Sequence, residues 1–199
     1  MSATRSPLAA AILIGGRASR MGGVCKAMLT VGGTPIIQRQ LETLRQVADP
    51  VYLVNSADGR FEDIGVPVVR DEFPAHGSLG GIYTAIAQSP HDRTLVVACD
   101  MPFLNRALLE HMARLEADLV IPRTPRGYEP LCAVYSRACL SSIRARLARR
   151  ELEASRLPDG VRILEVGPEA LAAYDPDGLL FVNINTPHDY ERAKEAPTK

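Results

Sequence analysis

The chain is short of charge imbalance, of long apolar runs and of paired cysteines. Its 23 basic and 23 acidic residues cancel at pH 7, so it lacks the electrostatic excess that marks a nucleic-acid or membrane surface. No apolar run approaches the roughly 20 residues that span a bilayer. Met1 to Pro7 is short and polar, unlike a secretory leader, which makes the cytoplasm the expected location. Cys25, Cys99, Cys132 and Cys139 form no Cys-x-x-Cys pair and accompany no ligand-spaced histidine, so neither a zinc site nor a redox pair is implied. Three of the four read as small buried hydrophobes. His76, His91, His111 and His188 are scattered and polar-flanked and are assigned no catalytic role. With no internal repeat, low-complexity tract or linker, 199 residues read as a single α/β domain over residues 1–199.

Two phosphate-binding signatures are also missing. A Walker A loop needs Gly-x-x-x-x-Gly-Lys-Ser/Thr, but Val24 and Cys25 separate Gly23 from Lys26, and Ala27 stands where the hydroxyl should be. Gly15, Gly16, Gly22 and Gly23 do not fall into Gly-x-Gly-x-x-Gly, which removes most support for a dinucleotide site.

What is present instead is a strand running into a basic glycine loop. Leu8 to Ile14 is uninterrupted and apolar, Gly15 and Gly16 follow at once, and Arg17, Arg20 and Lys26 come before the next element. Bare backbone amides can close on an anion where no Cβ intervenes, and the cations supply the charge that a triphosphate demands.

Downstream, Met28 to Val31 reads as a brief extended piece. Thr34 reads as the cap and Pro35 as the first residue of a helix with its stripe on Ile36, Ile37, Gln40, Leu41, Leu44 and Val47, stopped by Pro50. Strands are expected at Val51 to Val54, Val66 to Val69, Thr94 to Ala98, Asp118 to Ile121, Leu131 to Tyr135, Val161 to Val166 and Leu179 to Ile184. Asp71 to Gly81 reads as a glycine-rich loop, with a helix through Ile82 to Gln88. Further helices are expected from Asn105 or Arg106, at Glu169 to Tyr174, and after Thr186, with Pro187 and Asp189 completing the cap. Arg137 to Arg150 reads as a basic amphipathic helix with Leu140, Ile143 and Leu147 inward and Arg144, Arg146, Arg149 and Arg150 outward. A solvated face explains it best; a face toward an acidic partner or anionic substrate is the weaker alternative. This alternation predicts a doubly wound, mostly parallel sheet between two helical layers, with its site at the carboxyl ends of the strands.

Those ends carry Asn55, Asp71, Asp100, Asn183 and Asn185 beside the first loop. Asp100 closes an apolar strand ahead of Met101-Pro102, where a stiffly held carboxylate suits Mg²⁺. Asn55 and Asp71 could hydrogen-bond a base or ribose, although turn chemistry explains either equally well.

Ile12-Leu13-Ile14-Gly15-Gly16 with Arg20-Met21-Gly22 and Lys26, then Gly77-Ser78-Leu79-Gly80-Gly81, Cys99-Asp100-Met101-Pro102, Tyr128-Glu129-Pro130-Leu131 and Asn183-Ile184-Asn185-Thr186-Pro187 together resemble the molybdenum cofactor guanylyltransferases. The likeness covers nearly the whole chain in order. It implies the nucleotide-diphospho-sugar transferase type of Rossmann-like fold. The implied reaction joins GMP from GTP to the terminal phosphate of molybdopterin, or of its molybdenum-loaded form, and releases pyrophosphate with Mg²⁺ as cofactor. By the same likeness Leu13, Ile14, Gly15, Gly16, Lys26, Asn55, Asp71 and Asp100 contact GTP. Asp100 also holds the metal, Arg20 and Lys26 neutralise phosphate charge, and Asn183 and Asn185 lie toward the reacting or pterin side. Molybdenum-insertion and molybdoenzyme chaperone proteins are the implied protein partners. A cytidylyltransferase of the same cofactor, a transferase to another small phosphate acceptor, and a non-catalytic nucleotide-binding paralogue are the alternatives. Two departures stand out: Cys25 replaces the acidic residue that many members carry before the loop lysine, and Ser78 replaces a proline. The first is expected to weaken magnesium organisation or loop order without abolishing turnover, the second to be mild.

Overall fold

The computed structural model describes residues 7–15, 20, 21, 24–55, 61 and 63–196. Gly16, Arg17 and Gly22–Gly23 of the first loop therefore lie outside the described residues. The main strands are β1 (Leu8–Ile14), β2 (Val51–Asn55), β3 (Val68–Arg70), β4 (Arg93–Ala98), β5 (Leu119–Thr124), β6 (Gly127–Tyr128), β7 (Cys132–Ser136) and β8 (Ile163–Val166). They form one sheet in the order β6-β5-β7-β4-β1-β2-β3, with β8 beside β5. β4, β1, β2 and β3 run parallel, β7 is antiparallel to both its neighbours, and β8 is parallel to β5. The carboxyl ends of β1 to β5 thus share one edge.

The helices are α1 (Ile36–Leu44), α2 (Gly77–Gln88), α3 (Arg106–Arg114), α4 (Leu140–Ala148), α5 (Pro168–Ala172) and α6 (Pro187–Glu195). Alternation along β1 explains the layers. Ala10, Ile12 and Ile14 pack with Ile37, Leu41, Leu108 and Met112 of α1 and α3, whereas Ala9 and Ala11 pack with Leu79, Ile82, Ile86, Ile143 and Leu147 of α2 and α4. A strand covered on both faces must be apolar at every position, which is why Leu8 to Ile14 shows no polar alternation. Burying one such leucine or isoleucine contributes about 2 kcal/mol before chain entropy is subtracted.

Several boundaries differ from the sequence reading. Thr34 and Pro35 pair with Thr30–Val31 around Gly32 and Gly33, both at positive φ (61° and 81°), so α1 starts at Ile36 and its amide is taken by Leu29 O at 2.9 Å, with no side-chain cap. Gly77 to Gly81 is not loop but the start of α2, and Gly80 and Gly81 stand where the helix approaches its neighbours too closely for a Cβ. A Cβ on Gly80 would overlap the Phe73 carbonyl, and one on Gly81 would come within 3.1 Å of Leu13 Cδ1. Leu179 to Ile184 is not a strand. The Asp175 carboxylate accepts the Leu179 and Leu180 amides at 2.7 and 3.0 Å, and Val182 N–H bonds Leu179 O, so turn bonds take the donors a ladder would need. Arg146 does not face solvent. It is 1% exposed, its guanidinium donating to the carbonyls of Arg156, Glu151 and Glu153, so it pins the segment after α4 rather than facing a partner. The capping box at Thr186 and Asp189 and the Asn105 cap of α3 stand as read.

Candidate functional site

Lys26 opens a single 3-10 turn, Lys26–Met28, right after the short strand Val24–Cys25 that pairs with Arg20–Met21. Its side chain runs inward, and the residue is 1% exposed. An ammonium so placed must be met by acceptors. Its Nζ donates to Asn185 Oδ1 at 2.7 Å and lies 3.3 Å from Asp100 Oδ2. Three residues far apart in sequence therefore converge at the carboxyl edge of the sheet, beside the end of β1.

Backbone geometry holds Asp100 there. Cys99 N–H continues the β1 ladder to Leu13 O at 3.2 Å, and Ile184 N–H donates to Asp100 O at 3.0 Å. Gln40 of α1, 1% exposed, donates both amide hydrogens across this turn, to Ala98 O at 2.7 Å and Met101 O at 2.9 Å. It fixes the chain on either side of the carboxylate. The sequence placed Gln40 on the inward stripe without giving it a role; an amide among leucines and isoleucines was the available signal. Burial pushes the adjoining Cys99 thiol up to about 12, helped by the negative charge of Asp100, so this cysteine stays protonated and inert. Cys25, by contrast, is partly exposed beside Lys26.

Asn185 and Asn183 arrive on the segment between Leu180 and α6. Val31, Ile36, Ile184 and Ala193 form a small apolar cluster under it, and Tyr190 of α6 donates to Thr30 O at 3.0 Å. Asn183 Oδ1 is buried with no hydrogen-bond partner among the described residues, a state that costs roughly 1–3 kcal/mol.

On the other side of β1, Asn55 and Asp71 end β2 and β3, and the Asp71 amide donates to Asn55 O at 2.9 Å. Asp71 Oδ1 accepts from Phe73 N–H and Thr84 Oγ1, each at 2.9 Å, so its carboxylate ties the loop to α2. Leu13, Ile14 and Gly15 close β1 within the same edge, Gly15 at φ 148°. The fold thus brings Leu13, Ile14, Gly15, Lys26, Asn55, Asp71, Asp100, Asn183 and Asn185 to one edge, and joins Lys26, Asp100 and Asn185 by direct contact. The side chain of Arg20, like Gly16, lies outside the described residues.

Among the described residues no three His, Cys, Asp or Glu gather into a metal cage, and no helix is long and apolar enough to cross a membrane.

Comparison with known proteins agrees with this geometry. The chain is 33% identical over 188 residues to a molybdenum cofactor guanylyltransferase from Desulfosudis oleivorans, covering 93% of each chain. It is 34% identical to a probable molybdenum cofactor guanylyltransferase from Pelotomaculum thermopropionicum, over 92% of this chain and 90% of that one. Among solved structures it superposes on molybdopterin-guanine dinucleotide biosynthesis protein A from Archaeoglobus fulgidus with a TM-score of 0.76 and 25% identity, over 94% of this chain and 97% of the other. A CMP:2-keto-3-deoxy-manno-octonic acid synthetase complexed with CTP shares the fold at 16% identity, TM-score 0.69, over 96% of this chain and 98% of that one. The model of the MobA-like NTP transferase domain matches residues 10–161, and with the mixed, mostly parallel sheet and its polar carboxyl edge this settles the family: the chain belongs to the MobA-like NTP transferases.

Proposed function

We propose that this protein transfers GMP from GTP to the terminal phosphate of molybdopterin, bare or molybdenum-loaded, releasing pyrophosphate in a magnesium-dependent reaction in the cytoplasm. The observation that carries the reading is the convergence of buried Lys26 with Asp100 and Asn185 beside the glycine end of β1. A phosphate monoester carries close to two negative charges at neutral pH, so it attacks the α-phosphorus without any proton being removed by the protein. Acceleration then comes from alignment and from neutralising charge on the phosphates. Lys26 is suited to this because Asn185 and Asp100 hold its ammonium in place before substrate arrives. Arg20 adds charge from the loop. Leu13, Ile14 and Gly15 present backbone to the nucleotide, Asn55 and Asp71 lie toward its ribose and base, and Asn183 and Asn185 lie toward the acceptor.

The Asp100 carboxylate fits Mg²⁺. It is partly open to solvent, and its Oδ2 faces Lys26. This ion commonly takes only one or two carboxylates, with phosphate oxygens and water filling its octahedron. When bound it supplies further positive charge to the phosphates. Molybdenum-insertion and molybdoenzyme chaperone proteins are the partners proposed to hand over and collect the cofactor.

The test is pyrophosphate release by the purified chain with molybdopterin and magnesium, in the presence of GTP, CTP or ATP. The reading expects release with GTP alone; equal release with CTP, or none with any nucleotide, would contradict it. In parallel, GTP with magnesium at 100 times its dissociation constant should stabilise the fold by about 2.7 kcal/mol.

A further inference from the structure

The sheet order divides the carboxyl edge in two at Asp100. β1, β2 and β3 lie on one side and carry Gly15, Asn55 and Asp71; β7, β5 and β6 lie on the other. With the nucleotide on the first side, as the proposed function has it, a doubly charged phosphate acceptor must approach over the second. A charge of that size needs a cation there.

Two arginines stand on that side, both near the tip of the β5–β6 hairpin, and their surroundings differ. Arg123 is already matched: its Nη1 pairs with Glu165 at 3.3 Å, and its guanidinium lies 5.8 Å from the centre of the Tyr128 ring. Arg126 is exposed. Its one side-chain hydrogen bond among the described residues is a long one, 3.4 Å, from Nη2 to Phe181 O, so most of its N–H donors are open.

Phe181 begins the stretch that ends on Asp100, through Ile184 N–H to Asp100 O at 3.0 Å. Between those two anchors sits Asn183, whose buried Oδ1 has no partner among the described residues. One short segment therefore joins a guanidinium with most of its donors open, a buried acceptor without a partner among the described residues, and the Lys26–Asp100 pair. Glu129, half-buried on the same hairpin, is a neighbouring negative charge that interacts with Arg126.

We propose that Arg126 is an acceptor-binding residue: its guanidinium takes the anionic phosphate acceptor on the β5–β6 side. The inference rests on the transferase reading above, and it assigns specificity for the second substrate to the hairpin, away from the nucleotide side. Arg126 acts on binding, so it moves the acceptor KM and leaves the GTP KM alone.

The experiment is steady-state kinetics of pyrophosphate release with molybdopterin, GTP and magnesium, for wild type, Arg126→Ala, Arg126→Lys and Arg123→Ala. Losing one charge-assisted contact at an exposed site should raise the acceptor KM about tenfold in Arg126→Ala, which corresponds to about 1.4 kcal/mol. The GTP KM should stay within about twofold, Arg126→Lys should recover part of the loss, and Arg123→Ala should resemble wild type. Added salt should raise the acceptor KM more in wild type than in Arg126→Ala, because the charge contact is screened. An unchanged acceptor KM in Arg126→Ala, or equal rises in both KM values, would overturn the assignment while leaving the transferase reading intact. No turnover by wild type would overturn that reading and this inference with it.

Discussion

Removing the carboxylate from beneath Lys26 should cost more stability than removing Lys26 itself. The two members of the pair are not equally buried: the lysine side chain is 2% exposed and the aspartate side chain 19%. In Asp100→Ala the ammonium stays inside with only the Asn185 oxygen to meet it. Stranding one charge of a buried pair costs about 3–5 kcal/mol, and the opening already present at Asp100 lets water follow, which brings the expected loss to about 2–3 kcal/mol. In Lys26→Met the stem volume is kept. Asn185 is exposed and regains water, and the carboxylate left behind is already partly wetted, so the expected loss is about 1 kcal/mol or less. Urea unfolding at neutral pH without nucleotide measures both, with m-values near wild type as the control. The two variants should therefore differ by more than 1 kcal/mol, although both should lose on the order of 10²-fold or more in pyrophosphate release. If Lys26→Met proves equally or more destabilising, the ammonium is not the desolvated partner and the account of this site is wrong.

Gln40→Leu leaves the carbonyls of Ala98 and Met101 without their donor; it should cost about 2 kcal/mol in urea unfolding and lower kcat while the GTP KM holds, and an unchanged kcat would refute its role in fixing Asp100. Burial raises the Glu129 carboxyl above the ordinary carboxylate range, with Arg126 and the Thr124 hydroxyl opposing. The folded state then keeps this proton to higher pH than the unfolded chain does, which favours folding below the unfolded value and opposes it above the folded one. Glu129→Gln should accordingly raise Tm at pH 7 and not near pH 4; the reverse ordering would show that the charged form is the one stabilised. Cys25 is the one cysteine with appreciable exposure, so iodoacetamide on the native protein should modify it first and GTP with magnesium should slow the reaction, whereas identical labelling with and without nucleotide would place the nucleotide elsewhere.

The parts of this molecule legible in its sequence were those decided locally. Leu8 to Ile14 could only be a strand covered on both faces, and Thr186-Pro187 with Asp189 writes its own helix start. The same holds for Asp100, which a stiff apolar strand had to deliver to the edge. Contacts between distant segments were not legible. Nothing near Arg146 announces that three carbonyls of the following segment would draw a guanidinium inward. The glycines at 80 and 81 suggested a loop, when their reason was how closely α2 approaches Phe73 and Leu13. Leu179 to Ile184 had the composition of a strand, but Asp175 captured its amides first. The meeting of Lys26 with Asn185 across 159 positions follows only once α6 has been docked on the hairpin at Thr30–Val31.

The central claim is that a phosphate acceptor displaces the outer two phosphates of GTP at the Lys26–Asp100 edge. Turnover with molybdopterin, magnesium and GTP labelled at either its α- or its γ-phosphorus tests this most directly. The account predicts that α-label enters the pterin dinucleotide and γ-label leaves as pyrophosphate, both lost in Lys26→Met. Label from the γ-position in the pterin product, or α-label released only as free GMP, would contradict it.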